Sequence, residues 1–237
     1  MNLAFRPRLW PTVVAAPIVL TCLGLAAWQV QRLEWKRGLI AEREAALALP
    51  PAAPPRNLDE ARRMEFRHVT DEGAFLHDKE IFVGASAGSG RIGYHVLTPL
   101  RESGGRIVFV NRGFIPSELK DPARRAAGQI AGTVRVAGLL RLPPEGKPSW
   151  FLPENRPDKN YWFWVDIPAM SAAAGLTDTA PFYIDADATA NPGGWPQGGV
   201  TRTALPNDHL QYAITWFALA AGMVAVYVIY HRQLDRE

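Results

Sequence analysis

Apolar and polar residues alternate along this chain in three regimes. Between Arg8 and Arg32 lie 23 residues without a charge, and between His209 and His231 lie another 21. A hydrocarbon layer of about 30 Å takes about 20 apolar residues of helix at about 1.5 Å each, and both windows reach that length. Trp10 and Trp28 stand 18 positions apart, as do Tyr212 and Tyr230. Eighteen residues of helix cover about 27 Å, the separation of the two interfacial aromatic belts. The first window also has some features of a signal peptide, with Arg6 and Arg8 before it and Gly24-Leu25-Ala26 as a cleavage site. Its apolar run is longer than the usual h-region of about 7–15 residues. The second window has no such alternative and predicts a transmembrane helix.

Past the first window a helical pattern continues, with Leu33, Leu39, Ile40 and Leu47 recurring among charged residues until Pro50-Pro51-Ala52-Ala53-Pro54-Pro55 ends it. Those six residues predict an extended, semi-rigid spacer of roughly 19 Å. Beyond residue 64 the pattern shortens to strand-like runs separated by Gly, Pro, Ser and Asp. They are Phe66 to Val69, Ala74 to His77, Glu80 to Val83, Tyr94 to Leu97, Arg106 to Asn111, Gly132 to Leu140, Tyr161 to Asp166 and Phe182 to Asp185. Asp166-Ile167-Pro168 before Ala169 to Ala174 predicts a capped short helix ended by Gly175. The expected fold is a membrane protein with two transmembrane α-helices flanking a β-rich, antiparallel sandwich or barrel-like extracytoplasmic domain with a short helix. The expected boundaries are a tail at 1–8, the first span at 9–31, a stalk and Pro-rich linker at 32–56, the domain at 57–206, the second span at 207–230 and a tail at 231–237.

Composition sharpens this division. The 237 residues are 48% hydrophobic and 21% charged; with the two windows set aside, the remainder has an ordinary soluble balance. A disordered chain would not hold so many apolar and aromatic residues. The single cysteine excludes an intramolecular disulfide and any Cys-x-x-Cys site. The net charge of +3 says little about partners, because residues 32–208 hold 22 basic and 21 acidic side chains with the signs interspersed. No footprint for nucleic acid is visible. For orientation, Arg232 and Arg236 after the second span place the C-terminus in the cytoplasm, while Arg32, Lys36, Arg37 and Arg43 after the first pull the other way. Both termini are expected inside and the domain outside. About eight residues precede the first span, too few for an Arg-rich transit peptide, so a bacterial plasma membrane is expected.

Few motifs carry chemistry. Gly84-Ala85-Ser86-Ala87-Gly88 matches G-x-S-x-G, but that elbow needs a strand before it and a helix after it. Here a glycine-rich turn leads toward another strand, so a hairpin loop is expected and catalysis by Ser86 is not. The five histidines (His68, His77, His95, His209 and His231) form no spaced pair. His209 stands apart because it opens the second span after Asn207 and Asp208, either of which can cap the helix. An interfacial imidazole there is either structural or a ligand for an apolar cofactor with a charged edge, such as haem. Arg112, following the apolar Ile107 to Val110, either anchors turn carbonyls or pairs with a carboxylate such as a haem propionate. Tyr161-Trp162-Phe163-Trp164 reads as core or as a contact surface. Ala218 and Gly222 form a small-xxx-small pair suited to helix packing.

Taken in order, several segments resemble the Surfeit-locus-protein-one family of cytochrome c oxidase assembly factors. They are Leu23 to Arg32 with Trp35-Lys36, Gly93 to Pro99, Val110 to Pro116, Pro153 to Asn160, Pro181 to Ala186, Pro192 to Gly194, Gly199 to Arg202, and Asn207 to Tyr212 with Thr215-Trp216. The resemblance runs from about residue 23 to 217. It implies a non-enzymatic membrane protein whose partners are the lipid bilayer, cytochrome c oxidase subunit I and haem a synthase. It further implies haem a as cofactor, with His209 as the iron ligand. A scaffold that stabilises subunit I without touching haem is the alternative.

Overall fold

The computed structural model of the chain describes residues 7–86, 90–201 and 203–234. Arg6, the turn residues 87–89, Arg202 and Arg236, all used in the sequence reading, lie outside these. The elements in chain order are α1 (Leu9–Ala48), α2 (Leu58–Arg63), β1 (His68–Phe75), β2 (Ile81–Ser86), β3 (Ile92–Glu102), β4 (Ile107–Pro116), β5 (Thr133–Arg141), α3 (Ile167–Ala174), β6 (Thr179–Ala186) and α4 (His209–Leu234), with short 3-10 turns between them. They divide into two units, one made of the chain's two ends and the other of Arg43–Arg202.

In the first unit, α1 and α4 are both long and apolar enough to cross a membrane. The stalk expected after the first span is a continuation of α1, which ends at Ala48 ahead of Pro50-Pro51. Along α1 the buried or half-buried positions include Thr12, Ala15, Val19, Cys22, Ala26, Gln29 and Leu33; along α4 they include His209, Ala213, Trp216, Ala220, Met223, Tyr227 and His231. Both series step by three and four, the spacing of a left-handed helix seam. Side chains tie the pair antiparallel: Gln29 to His209 at one end, Thr12 to Tyr227 and the Arg8 backbone N–H to His231 Nε2 at the other. Ala218 and Gly222 are exposed on the opposite side of α4, so the small-residue pair singled out in the sequence does not pack against α1.

The second unit is a barrel. β1 pairs along its length with β5 and, at Gly73 to Phe75, also with Leu100 to Glu102 of β3. The order β1-β5-β6-β4-β3 therefore closes on itself, and β2 hangs on the outer side of β3. All pairings are antiparallel except β4–β6, which is parallel. Closure needs a residue without a side chain at Gly73, where a Cβ would lie 2.4 Å from the Arg101 carbonyl oxygen. Strand periodicity then sorts the residues. Val69, Leu100, Val108, Val110, Leu140, Phe182 and Ile184 form one core. Leu97, Phe109 and Tyr183 face the other way, into a second cluster with Ile81, Trp162 and the α3 residues Ile167 and Met170.

Among the described residues six strands replace the expected eight. The first two runs are one strand, because Thr70 to Gly73 keep pairing with β5 despite the polar Asp71 and Glu72. Tyr161 to Asp166 is not a strand: Tyr161 and Trp162 make isolated bridges to Arg156 and Val83. Asn155 Oδ1 accepts the Phe163 backbone N–H at 2.8 Å, supplying from a side chain what a ladder would have supplied. The proline-rich segment is no free-standing spacer. Ala52 bridges β1, giving its N–H to the His68 carbonyl and accepting from Thr70 N. The short helix α3 forms as expected, with Asp166 accepting from Ala169 N and Gly175 in the left-handed conformation at its end. Ser86 pairs with Ile92 in a strand-to-strand register, which is not the setting of a nucleophile elbow.

A buried charge network locks one side of this unit. Glu80 is 5% exposed and accepts from both terminal nitrogens of Arg125, from Thr98 Oγ1 and from Gln129 Nε2. His77 Nδ1 and Arg112 Nη1 lie 3.4 and 3.8 Å away. Burial pushes the Glu80 carboxyl up, but the hydrogen bonds with His77 and Arg125 outweigh it and hold the pKa at about 2. A depressed folded-state pKa adds stability that is present above the ordinary value of 4.5 and is lost as pH falls toward about 2. Glu80→Gln leaves two buried guanidinium groups without their counter-charge. Chemical unfolding of the full chain in lipid nanodiscs at pH 7 should show a loss of about 3–5 kcal/mol, shrinking as the pH approaches 3.

Candidate functional site

His209 is the first residue of α4 and is half-buried. Its Nδ1 lies 2.7 Å from Gln29 Oε1 on α1. An amide oxygen only accepts, so Nδ1 carries the proton and Nε2 keeps its lone pair. The Trp28 ring meets the imidazole edge-on, with centroids 6.5 Å apart at 85°. Metal-binding histidines are typically oriented in this way, with the non-ligating N–H given to an acceptor that fixes the tautomer. Gln29 is the residue that sequence reasoning missed. The available signal was an amide in an uncharged span, because a polar group at that depth needs a partner.

Arg112, the second candidate, belongs to the barrel unit and is 2% exposed. Its Nη2 donates to the Gly128 carbonyl and to Asn191 Oδ1, each at 2.7 Å, and its guanidinium carbon lies 4.7 Å from the Phe75 ring centroid. Burial lowers its pKa to about 10, with Glu80 opposing that shift. Among the described residues Nη1 has no hydrogen-bond partner. Arg112 thus makes contacts to a turn carbonyl and to a side-chain amide, while His209 sits in the helix pair.

Among the described residues no group of three or more His, Cys, Asp and Glu side chains could hold a metal ion. Of the other histidines, His68 faces Asp187 at 3.5 Å, and His77 lies against Glu80 and the Ile130 carbonyl. His231 gives Nδ1–H to the Tyr227 carbonyl and accepts from Arg8 N. His95 joins a polar row across the outer face of the barrel. Asn111 Nδ2 contacts His95 Nδ1 at 3.2 Å and Asp185 Oδ1 at 2.7 Å, and Arg141 Nη1 reaches Asp185 Oδ2 at 3.2 Å. The row was not foreseen, because its members lie on four strands and only the register unites them.

A model of the SURF1 family matches residues 16–221, which include Gln29 and His209 of the helix pair and the whole barrel. The chain belongs to the SURF1 family. A SURF1-like protein of Monosiga brevicollis is 38% identical to it over 237 residues, covering 95% of this chain and 88% of that one. Surfeit locus protein 1 of Mus musculus is 39% identical, covering 85% and 69%. The Homo sapiens protein of the same name is 38% identical, covering 86% and 72%. The family match embraces Gln29, His95, Arg112 and His209 alike.

The geometry at His209 has a direct spectroscopic consequence. With the chain in lipid nanodiscs, 15N spectra of its labelled histidines should show His209 protonated at Nδ1. Gln29→Leu removes the acceptor and should shift the ring toward the Nε2-protonated tautomer.

Proposed function

We propose that this SURF1-family protein is a membrane-anchored, non-enzymatic assembly factor for haem-copper cytochrome c oxidase. In this reading it accepts haem a from haem a synthase, holds it by His209, and offers it to subunit I. The observation that carries the reading is the Gln29–His209 hydrogen bond, which leaves Nε2 as a free nitrogen donor at the end of the helix pair. Haem as cargo would find there a single neutral nitrogen ligand and lipid-facing apolar surface. A single protein ligand suits transfer, because release to an acceptor with two ligands is downhill. Arg112 is the less suited of the two expected contacts, since pairing with a propionate would require it to give up Gly128 and Asn191.

The proposed location is a bacterial plasma membrane, with the barrel on the extracytoplasmic side and both termini in the cytoplasm. The antiparallel helix pair supports a common side for Arg8 and Arg232, and the positive-inside tendency selects that side as cytoplasmic.

Production of the chain beside haem a synthase, followed by absorption spectra and pigment extraction, tests the proposal. The wild type should carry haem a and His209→Ala should lose it. Gln29→Ala should bind about 10–100-fold more weakly, as expected for loss of the group that orients a ligand. A wild type without a haem band would overturn cargo binding; a fall in oxidase content caused by barrel variants alone would then favour the scaffold.

A further inference from the structure

A cleft of about 490 Å³ opens on the outer face of the barrel, and the haem reading makes no use of it. Its lining comes from five strands and from the loops that hold Val165 and Val200, and includes His95, Arg141, Tyr183 and Asp185 among the apolar Val83, Leu97, Val165 and Val200. The volume lies within the range of small-molecule sites, and the mixture of apolar walls with a few convergent polar groups is typical of them.

The polar groups have a definite hydrogen-bonding sense. Asn111 Oδ1 accepts from Gly113 N at 3.1 Å, so its Nδ2 is the group that faces His95 and Asp185. An amide nitrogen only donates, so His95 Nδ1 accepts and the ring proton sits on Nε2. Burial lowers the His95 pKa, with Asp185 opposing, which keeps the ring neutral. His95 Nε2–H and the Tyr183 hydroxyl have no hydrogen-bond partner among the described residues. Arg141 Nε is buried and also unpartnered. Asp185, the one acid in the cleft, already has both oxygens engaged, by Asn111 and Arg141. Three donors on three strands are therefore not engaged by protein acceptors, while the acid beside them is neutralised by a guanidinium.

We propose that this cleft binds the carboxylate of a ligand with an apolar body, the oxygens accepting from His95, Tyr183 and Arg141 and the body lying on Val83, Leu97, Val165 and Val200. A carboxylate supplies two acceptor oxygens and no donor, the complement of what the cleft presents. An amine would find the cleft's one carboxylate, Asp185, already engaged by Asn111 and Arg141. The proposal is independent of His209, which belongs to the other unit. The same chemistry occurs in a fatty acid and in a tetrapyrrole propionate, and the experiment separates them.

The test uses the full chain in lipid nanodiscs with 15N-labelled histidine, titrated with hexanoate, hexan-1-ol and hexylamine. Hexanoate should move the His95 Nε2 resonance saturably, with hexanol and hexylamine without such an effect. Tyr183→Phe, which removes one hydroxyl and keeps the ring, should weaken hexanoate about tenfold; Arg141→Lys, keeping the charge and losing the Nε–H, should weaken it as well. Competition by protoporphyrin IX and not by its dimethyl ester would identify a propionate as the source. Competition by octanoate alone would identify a fatty acid. An unmoved His95 resonance, equal shifts with hexanol or hexylamine, or unchanged affinity in Tyr183→Phe would each overturn the proposal.

Discussion

The barrel depends on one strand having partners on both sides. β1 is hydrogen-bonded to β5 throughout and to β3 at its end, and the second pairing is possible only because Gly73 lets the Arg101 carbonyl approach. Closure removes the free edge that an open five-stranded sheet would expose. It also creates an inside that must be apolar and a crowded outside on which the polar members of the same strands collect. β4 is buried along its whole length, so its alternate residues serve two different cores. Arg112, next in that strand after Asn111, is carried into the buried region. Glu80 offsets the cost by facing both Arg112 and Arg125.

The helix pair meets a comparable constraint in another solvent. Each helix presents to its partner a seam in which apolar residues alternate with polar ones, and leaves Trp10, Leu20, Tyr212 and Val226 exposed. In hydrocarbon a polar side chain without a partner is costly, and here the polar seam residues are matched across the pair. Thr12 meets Tyr227, Gln29 meets His209, and His231 meets the Arg8 backbone. These contacts fix which residue faces which more firmly than apolar packing could, since one apolar residue is nearly equivalent to the next. The geometry at His209 therefore follows from the register of the two helices, and Gln29 both sets that register and chooses the tautomer.

Much of this was legible in the chain because it rested on local signals. The uncharged windows gave both long helices, and Asp166 with Gly175 gave α3. His209 stood out because a titratable residue at the mouth of a span is unusual. The long-range features were not legible. Thr70 to Gly73 looked like a turn because strand propensity undervalues polar residues whose ladder partners lie about 65 positions away. Tyr161 to Asp166 looked like a strand because aromatic composition does not reveal that the Asn155 side chain will occupy the backbone of Phe163 and Trp164. Gln29 and the His95 row share this difficulty: each acquires meaning only from a partner that the fold brings in.

The two histidines with amide partners make the point chemically. His209 meets an amide oxygen and His95 an amide N–H, both at Nδ1. The first contact puts the proton on Nδ1 and leaves Nε2 as a base; the second puts it on Nε2 and makes that atom a donor. The same residue type thereby presents a lone pair at Nε2 in the helix pair and an N–H at Nε2 on the barrel. Neither preparation requires a charged neighbour at the contact, which suits one site bounded by apolar helices and another whose only acid is already paired. Reversing either amide would reverse the chemistry offered at Nε2 while leaving the packing almost unchanged. Gln29 and Asn111, residues with no reactivity of their own, thus set which nitrogen of each ring carries the proton.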